Sequence, residues 1–421
     1  MIVHLSDIRR FFASLTLVSM TFVMMLSQVF PYPKPADPRQ FSIMAWGPSP
    51  SDPDQLGLMK QAGFNVSGFC KAEDLKNVEK AGLTCFVSDP KASGYDWTHL
   101  PSKDEIEKNA AELTKRIGGS RAALGFLLTD EPNAAMLPGL GEVARALKQQ
   151  MPALWPYVNG FPFNAGRARI GAMSYADYLR AQVKQVGQPF LSYDQYALKD
   201  DAIGDAFYAN LEIARRISLE LKVPFWNCIL ATSLPGNMDS SEATLSIQAY
   251  STLAYGGRGI SYFTYLRPDE TNFSHTAIDG FGNRTPTWDI LRRLNGEILT
   301  LAPILLRLHS TGVFHYPIAF EPDQEQSLVV KDVHINSLKG STPPSLVIGE
   351  FADDQGHEYL MLVNKNLVSA VAVNLRLVDE GSKLERISPY SGLRQPFDSE
   401  NGDSLAPGGG VLLVIDRSPL Q

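Results

Sequence analysis

The chain has 421 residues, 44% of them hydrophobic and 20% charged, so it carries enough apolar side chain for a packed core and is not a disordered polymer. Its length exceeds one ordinary core and suits a barrel of ~250 residues with a smaller domain. A net charge of −7, with no Lys/Arg-rich stretch, argues against nucleic acid or an anionic membrane surface as the main partner.

Residues 1–30 have the layout of a signal peptide or N-terminal anchor. Arg9 and Arg10 precede an apolar run from Phe11 to Met25 that carries no charge. The Arg9-Arg10-Phe11-Phe12 stretch faintly resembles a twin-arginine signal. No clear small-x-small cleavage site follows, so the expectation is export, with membrane anchoring through this segment left open. Residues 31–40 hold four prolines between Pro31 and Pro38 and read as a spacer.

From residue 41 to 309 short apolar runs alternate with helical patterns. The runs are Phe41–Trp46, Phe64–Phe69, Leu83–Val87, Leu124–Leu128, Trp155–Val158, Phe190–Tyr193, Phe225–Ile229 and Gly259–Tyr265. Between and after them, apolar residues recur at helical spacing, as in Lys103–Ile117, Ser174–Val186 and Phe207–Leu221. Eight continuously apolar strands, each followed by a helix, predict a parallel (β/α)₈ TIM barrel covered on its outside by helices. Gly63 and Gly82 precede the second and third runs, where a left-handed residue ends a helix.

Beyond residue 310 the texture changes to closely spaced strand-like pieces, including Ser327–Val333, Leu346–Phe351, Tyr359–Asn364, Ala370–Leu377 and Gly410–Ile415. Six or more strands without helices predict an antiparallel β-sandwich over 310–421.

The three cysteines, Cys70, Cys85 and Cys228, fall in or at the ends of apolar runs. Buried thiols are the default for such positions. Cys70 and Cys85 belong to neighbouring strands, where an oxidising compartment would allow a disulfide. No Cys or His pair has ligand spacing, so no metal is expected. No cofactor is expected either, because neither GxGxxG nor GxxxxGK(S/T) lies between a strand and a helix.

Barrel enzymes carry their chemistry at the C-terminal ends of the strands. The fourth run leads into Thr129-Asp130-Glu131-Pro132-Asn133, where two carboxylates meet a proline that ends ladder pairing. Asp130 or Asn133 could instead cap the next helix. After the sixth run comes Asp194, flanked by Tyr193 and Tyr196, with a turn or helix cap as its plainer role. Further substrate-binding candidates are Trp46, Asp89, Asn159, Asn227, Tyr262 and Tyr265. Strand alternation predicts that Tyr262 and Tyr265 point to opposite faces. The polar segment Arg267–Arg284 reads as a lid or subsite wall on the same face.

The "LTDEPN" segment resembles the fourth-strand motif of clan A (β/α)₈-barrel glycoside hydrolases, in which an Asn-Glu-Pro sequence carries the acid/base glutamate. The resemblance implies a glycosidase acting on a carbohydrate, with Glu131 as general acid/base and Asp130 in place of the usual asparagine. That family also places a nucleophilic glutamate after strand seven, but "PFWNCILATSLP" has no carboxylate there. Asp194 is then the best second carboxylate. The alternatives are a non-catalytic sugar-binding barrel, or another hydrolase or lyase on the same fold.

Overall fold

A computed structural model describes residues 40–199, 202–268, 272–317, 327, 329–337, 344–398 and 403–417. The expected N-terminal signal or anchor (1–30) and nearly all of the spacer lie outside the described residues. No helix among the described residues is long and apolar enough to cross a membrane.

The eight runs form eight parallel strands: β1 (Ser42–Ala45), β2 (Val66–Cys70), β3 (Thr84–Val87), β4 (Ala123–Asp130), β5 (Trp155–Asn159), β6 (Leu191–Asp194), β7 (Phe225–Leu230) and β8 (Gly259–Phe263). Their order is β5-β4-β3-β2-β1-β8-β7-β6. A bridge between Gly160 and Tyr193, with Gly160 N donating to Ser192 O at 2.8 Å, joins the two edges and closes the barrel. A Cβ at residue 160 would lie 2.8 Å from Gln182 Oε1 and 3.1 Å from Ser192 O, so a larger residue there would require the Gln182 side chain to shift.

The strands are apolar on both faces because each face is buried. Met44, Val66, Phe86, Leu124, Tyr157, Phe190 and Trp226 fill the lumen, with Phe190 stacked on Trp226 at 4.1 Å. Outward residues such as Ile43, Phe126, Val158, Phe225 and Ile260 pack under the helices. The eight covering helices are α1 (Pro53–Gln61), α2 (Leu75–Lys80), α3 (Lys103–Ile117), α4 (Leu137–Gln150), α5 (Tyr175–Val186), α6 (Asp205–Leu221), α7 (Glu242–Ala254) and α8 (Pro286–Leu305). Gly63 and Gly82, just past the ends of α1 and α2, have φ of 83° and 67°, the left-handed exit expected of them.

Helix α8 leads into the sandwich. Its larger sheet contains β9 (His309–Tyr316), β11 (Leu346–Ala352), β12 (Glu358–Asn364), β17 (Gly410–Asp416), β14 (Lys383–Ile387) and β15 (Arg394–Pro396), in that order. The smaller sheet holds β10 (Val330–Ser337), β13 (Val371–Leu377) and β16 (Asp403–Leu405). Leu346, Ile348, Leu360, Leu362 and Leu413 meet Val333, Val371, Val373 and Leu405 between the sheets. The other face of the larger sheet packs Val347, Met361 and Val414 against the barrel, chiefly against α7. Strands β14, β15 and β16 were not individually foreseen: "KLERI", "RQP" and "DSL" carry no apolar run.

Cys70 and Cys85 form a disulfide across β2 and β3, and Cys228 is free and buried. The default expectation of buried free thiols therefore holds only for Cys228.

Candidate active site

Strand β4 reaches the barrel mouth through a bulge. Leu127 faces Tyr157 on β5, but Thr129 already faces Val158, so one extra residue is accommodated between them. A bulge re-aims the side chains beyond it. Here it places Asp130 opposite Asn159. Glu131 follows with φ 44°, a left-handed conformation that costs a branched-chain-free residue on the order of 1 kcal/mol and persists only where its surroundings fix it. Its N–H donates to Asn159 O at 2.8 Å, and the next carbonyl, Pro132 O, accepts from Tyr178 Oη at 2.8 Å. Asn133 takes the capping role, accepting from Ala135 N at 3.1 Å. The two carboxylates before it are therefore free of that duty.

Asn159 ends β5 and is buried. Its Nδ2 donates both to Asp130 Oδ1 at 3.2 Å and to Asp194 Oδ1 at 3.1 Å. Its Oδ1 accepts from Ser192 Oγ at 2.9 Å, and Ser192 in turn bonds Tyr157 Oη at 3.0 Å. The amide is thus locked, and the two aspartates lie within two hydrogen bonds of each other.

On the outer side of this group, Arg169 Nη2 donates to Glu131 Oε2 at 2.8 Å. Arg169 belongs to a short helix, Arg167–Ile170, in the loop between β5 and α5, and its guanidinium lies 4.7 Å from the centroid of the Phe161 ring. Asp194 has the opposite environment. Burial first, then the negative charges of Glu131 and Asp130, push its carboxyl up to about 8 despite the Asn159 hydrogen bond. Burial and the Asp130 charge also raise Glu131, while Arg169 opposes them. Asp130 opens to solvent on one side, yet crowding by protein raises it, against hydrogen bonds from Asn159 and from Glu131 N–H.

Aromatic rings flank the carboxylates. Tyr196 stacks on Phe263 at 5.6 Å, and its hydroxyl lies 3.6 Å from Cys228 Sγ. Trp46 meets Phe263 edge-on at 5.6 Å and Phe69 at 5.2 Å. Of the sequence candidates, Trp46, Asp130, Glu131, Asn159, Asp194 and Tyr196 gather at this mouth.

The other candidates point elsewhere. Tyr193 alternates with Ser192 and Asp194, so it faces the helices and stacks on Phe225. Asn227 lies between the inward Trp226 and Cys228, and its Nδ2 donates to Thr252 of α7 at 2.8 Å. Tyr262 donates to Asn295 of α8 at 2.7 Å. Tyr262 and Tyr265 both pack on Phe64, at 5.6 and 5.1 Å, contrary to the expected opposite faces. Strand β8 ends at Phe263, and alternation does not extend past a strand's end. The ring that β8 gives to the mouth is Phe263. Asp89 is buried, caps the turn Pro90–Ser93 through Lys91 N at 2.8 Å, and pairs with Arg116.

Arg169 and Phe263 were missed. Parity with Ser261 on β8 would have found Phe263. For Arg169 the only cue was a cationic stretch, "GRARIG", in a loop after a strand. In the loops after β7 and β8, Ser233 Oγ meets His275 Nδ1 at 2.9 Å, and Asp239 faces the same nitrogen at 3.6 Å. Two partners on one nitrogen cannot relay a proton through the ring.

No family model and no curated protein matches the chain. Solved structures do. A family 5 glycoside hydrolase from Bacteroides vulgatus ATCC 8482 is 11% identical, covering 90% of each chain with a TM-score of 0.56. A structure described as a glycoside hydrolase is 11% identical, covering 91% of this chain and 93% of its own, with a TM-score of 0.54. A cold-adapted β-galactosidase from Rahnella sp. R3 is 12% identical over 67% of this chain, with a TM-score of 0.51. The chain spans only 59–62% of the length of that enzyme and of the Marinomonas β-galactosidase it also matches. At such identities the likeness concerns the fold alone: the chain is a (β/α)₈ barrel with a β-sandwich behind it, a fold similar to that of these glycoside hydrolases.

Proposed function

We propose that the protein is an exported glycoside hydrolase that cleaves carbohydrate with Glu131 and Asp194. The observation that carries this reading is the convergence of Asp130, Glu131 and Asp194 at the C-terminal mouth, with Asn159 bridging two of them and Arg169 holding the third. Glycoside hydrolysis needs one proton for the leaving oxygen and one carboxylate at the anomeric carbon. Asp194, half-buried beside two carboxylates, keeps its proton at neutral pH and is the donor. Glu131, hydrogen-bonded to a guanidinium, is the carboxylate. This exchanges the roles implied by the resemblance, which made Glu131 the acid/base.

As the C–O bond breaks, the Asp194 proton passes to the departing sugar oxygen and Glu131 stabilises the positive charge at the anomeric centre. A solvent water then adds its oxygen to that carbon and gives up one proton, which restores Asp194 to its protonated form. Asn159 remains bonded to Asp194 as it becomes an anion. The rings of Trp46, Phe263 and Tyr196 offer apolar faces to a pyranose. The Cys70–Cys85 disulfide supports export, because such bonds persist in oxidising compartments.

A sugar-binding barrel without catalysis is the second reading, favoured by β7, whose inward residues are Trp226 and Cys228 and not a carboxylate. Incubation with a panel of aryl glycosides and oligosaccharides separates the two. Turnover by the native chain that falls in both Glu131→Gln and Asp194→Asn supports the hydrolase. Binding of sugar without turnover supports the second reading.

A further inference from the structure

We infer that the rim of the barrel opposite the carboxylates is a distal sugar-binding subsite, so that the substrate is an oligosaccharide chain and not a simple glycoside; the inference rests on the hydrolase reading above. Between the loops after β1 and β8 lies a depression of about 430 Å³ lined by Pro50, Gln55, Leu266, Arg267, Asp279 and Gly280. Both loops leave C-terminal strand ends, so the depression opens on the same face as Glu131 and Asp194.

The chemistry of the lining fits a sugar. Arg267 is exposed, and its charge acts on Asp279, so a fork of donors and a carboxylate stand together. Such a pair suits neighbouring hydroxyls. Gln55 Nε2 is used by Gly282 O at 3.0 Å, which leaves its buried Oε1 without a hydrogen-bond partner among the described residues. That acceptor is open to a ligand hydroxyl.

At the edge stands Phe281, 91% exposed. Its turn is built to hold it. Asp279 Oδ1 accepts from Phe281 N at 2.9 Å and from Asn283 N at 2.8 Å, and Asp279 N donates to Asn283 O at 2.9 Å. Ile278 bridges to both Leu266 and Arg284. An apolar ring fixed in water gains nothing from the fold. Beside hydroxyl-binding groups it offers the flat face on which a pyranose stacks.

In the barrel order, β1 and β8 lie across from β4 and β5. Eight tilted strands ~4.8 Å apart give a mouth roughly 15 Å across. One sugar ring cannot reach both sides, and the rings of Trp46, just after β1, and Phe263, at the end of β8, belong to the same side as the depression.

The test is calorimetric binding of cello-, manno- and xylo-oligosaccharides of two to six units to the full chain carrying Glu131→Gln, with and without Phe281→Ala or Arg267→Ala. Affinity should rise with length for the best-bound series, and either added substitution should remove that rise, lowering affinity for the longest probe about tenfold, as truncating a buried aromatic contact does. If Phe281→Ala and Arg267→Ala both keep the full rise with length, the distal subsite is wrong while the hydrolase reading stands. If no probe binds at any length, both are wrong.

Discussion

Arg169 donates to Glu131 at 2.8 Å and its guanidinium lies over the Phe161 ring, so Glu131 is the carboxylate of the cluster that is held by a cation. Asp194 is held by the neutral amide of Asn159. In the proposed mechanism this difference divides a proton donor from an anion within one cluster of acids.

Arg169 is a positioning residue in this account, and its removal has a signed consequence. Without the guanidinium the Glu131 anion loses its partner, so its pKa rises. The acidic limb of the kcat/KM profile should move to higher pH in Arg169→Gln and stay in place in Arg169→Lys. An exposed ion pair contributes ~0.2–1 kcal/mol, so the shift should be under about one pH unit. A pH profile of Arg169→Gln that overlays the wild type would remove Arg169 from this role.

The proton on Asp194 also links stability to pH. Its pKa in the folded chain is about 8, whereas an unfolded aspartate titrates near ~3.9. Between those values the folded state binds more protons than the unfolded state, so stability falls as pH rises through that window. Asp194→Asn removes this loss. Its melting temperature should exceed that of the wild type above about pH 8, and the advantage should shrink toward about pH 4. Parallel curves for the two proteins would contradict the raised pKa.

The Cys70–Cys85 bond joins residues 15 apart in sequence, and a loop of that size corresponds to about 3 kcal/mol of stabilisation in the chain-entropy account. Thermal unfolding with and without reductant should therefore differ by several degrees, and the double variant Cys70→Ser/Cys85→Ser should match the reduced protein. Cys228, buried and pushed well up by burial, should resist thiol labelling until the chain unfolds. Equal melting temperatures in oxidant and reductant would show that the bond contributes nothing to the fold.

The barrel was legible because a parallel strand buried on both faces reads as an unbroken apolar run, and Gly63 and Gly82 marked the turns. Glu131 and Asp194 were legible because a carboxylate directly after such a run stands at the barrel mouth. The rest depended on contacts that local patterns do not carry. Arg169 reaches Glu131 from a loop 38 positions away, and Arg116 reaches Asp89 from 27 positions away. The first made an unremarked loop residue part of the site, and the second drew a candidate out of it. Tyr193, Asn227 and Tyr262 were a different matter. Their outward direction follows from alternation with Asp194, Cys228 and Phe263, a periodicity that was present in the sequence.

The division of roles is tested most directly by comparing Asp194→Asn and Glu131→Gln on two substrates of one sugar, an activated aryl glycoside and a glycoside with a poor leaving group. Asp194→Asn should lose ~10²–10⁴-fold in kcat/KM on the poor leaving group and much less on the activated one, because only the former needs a full proton from the enzyme. Glu131→Gln should depress both together. The reverse pattern would return the proton to Glu131, and undiminished turnover of the poor-leaving-group substrate by both variants would contradict a glycoside hydrolase centred on these carboxylates.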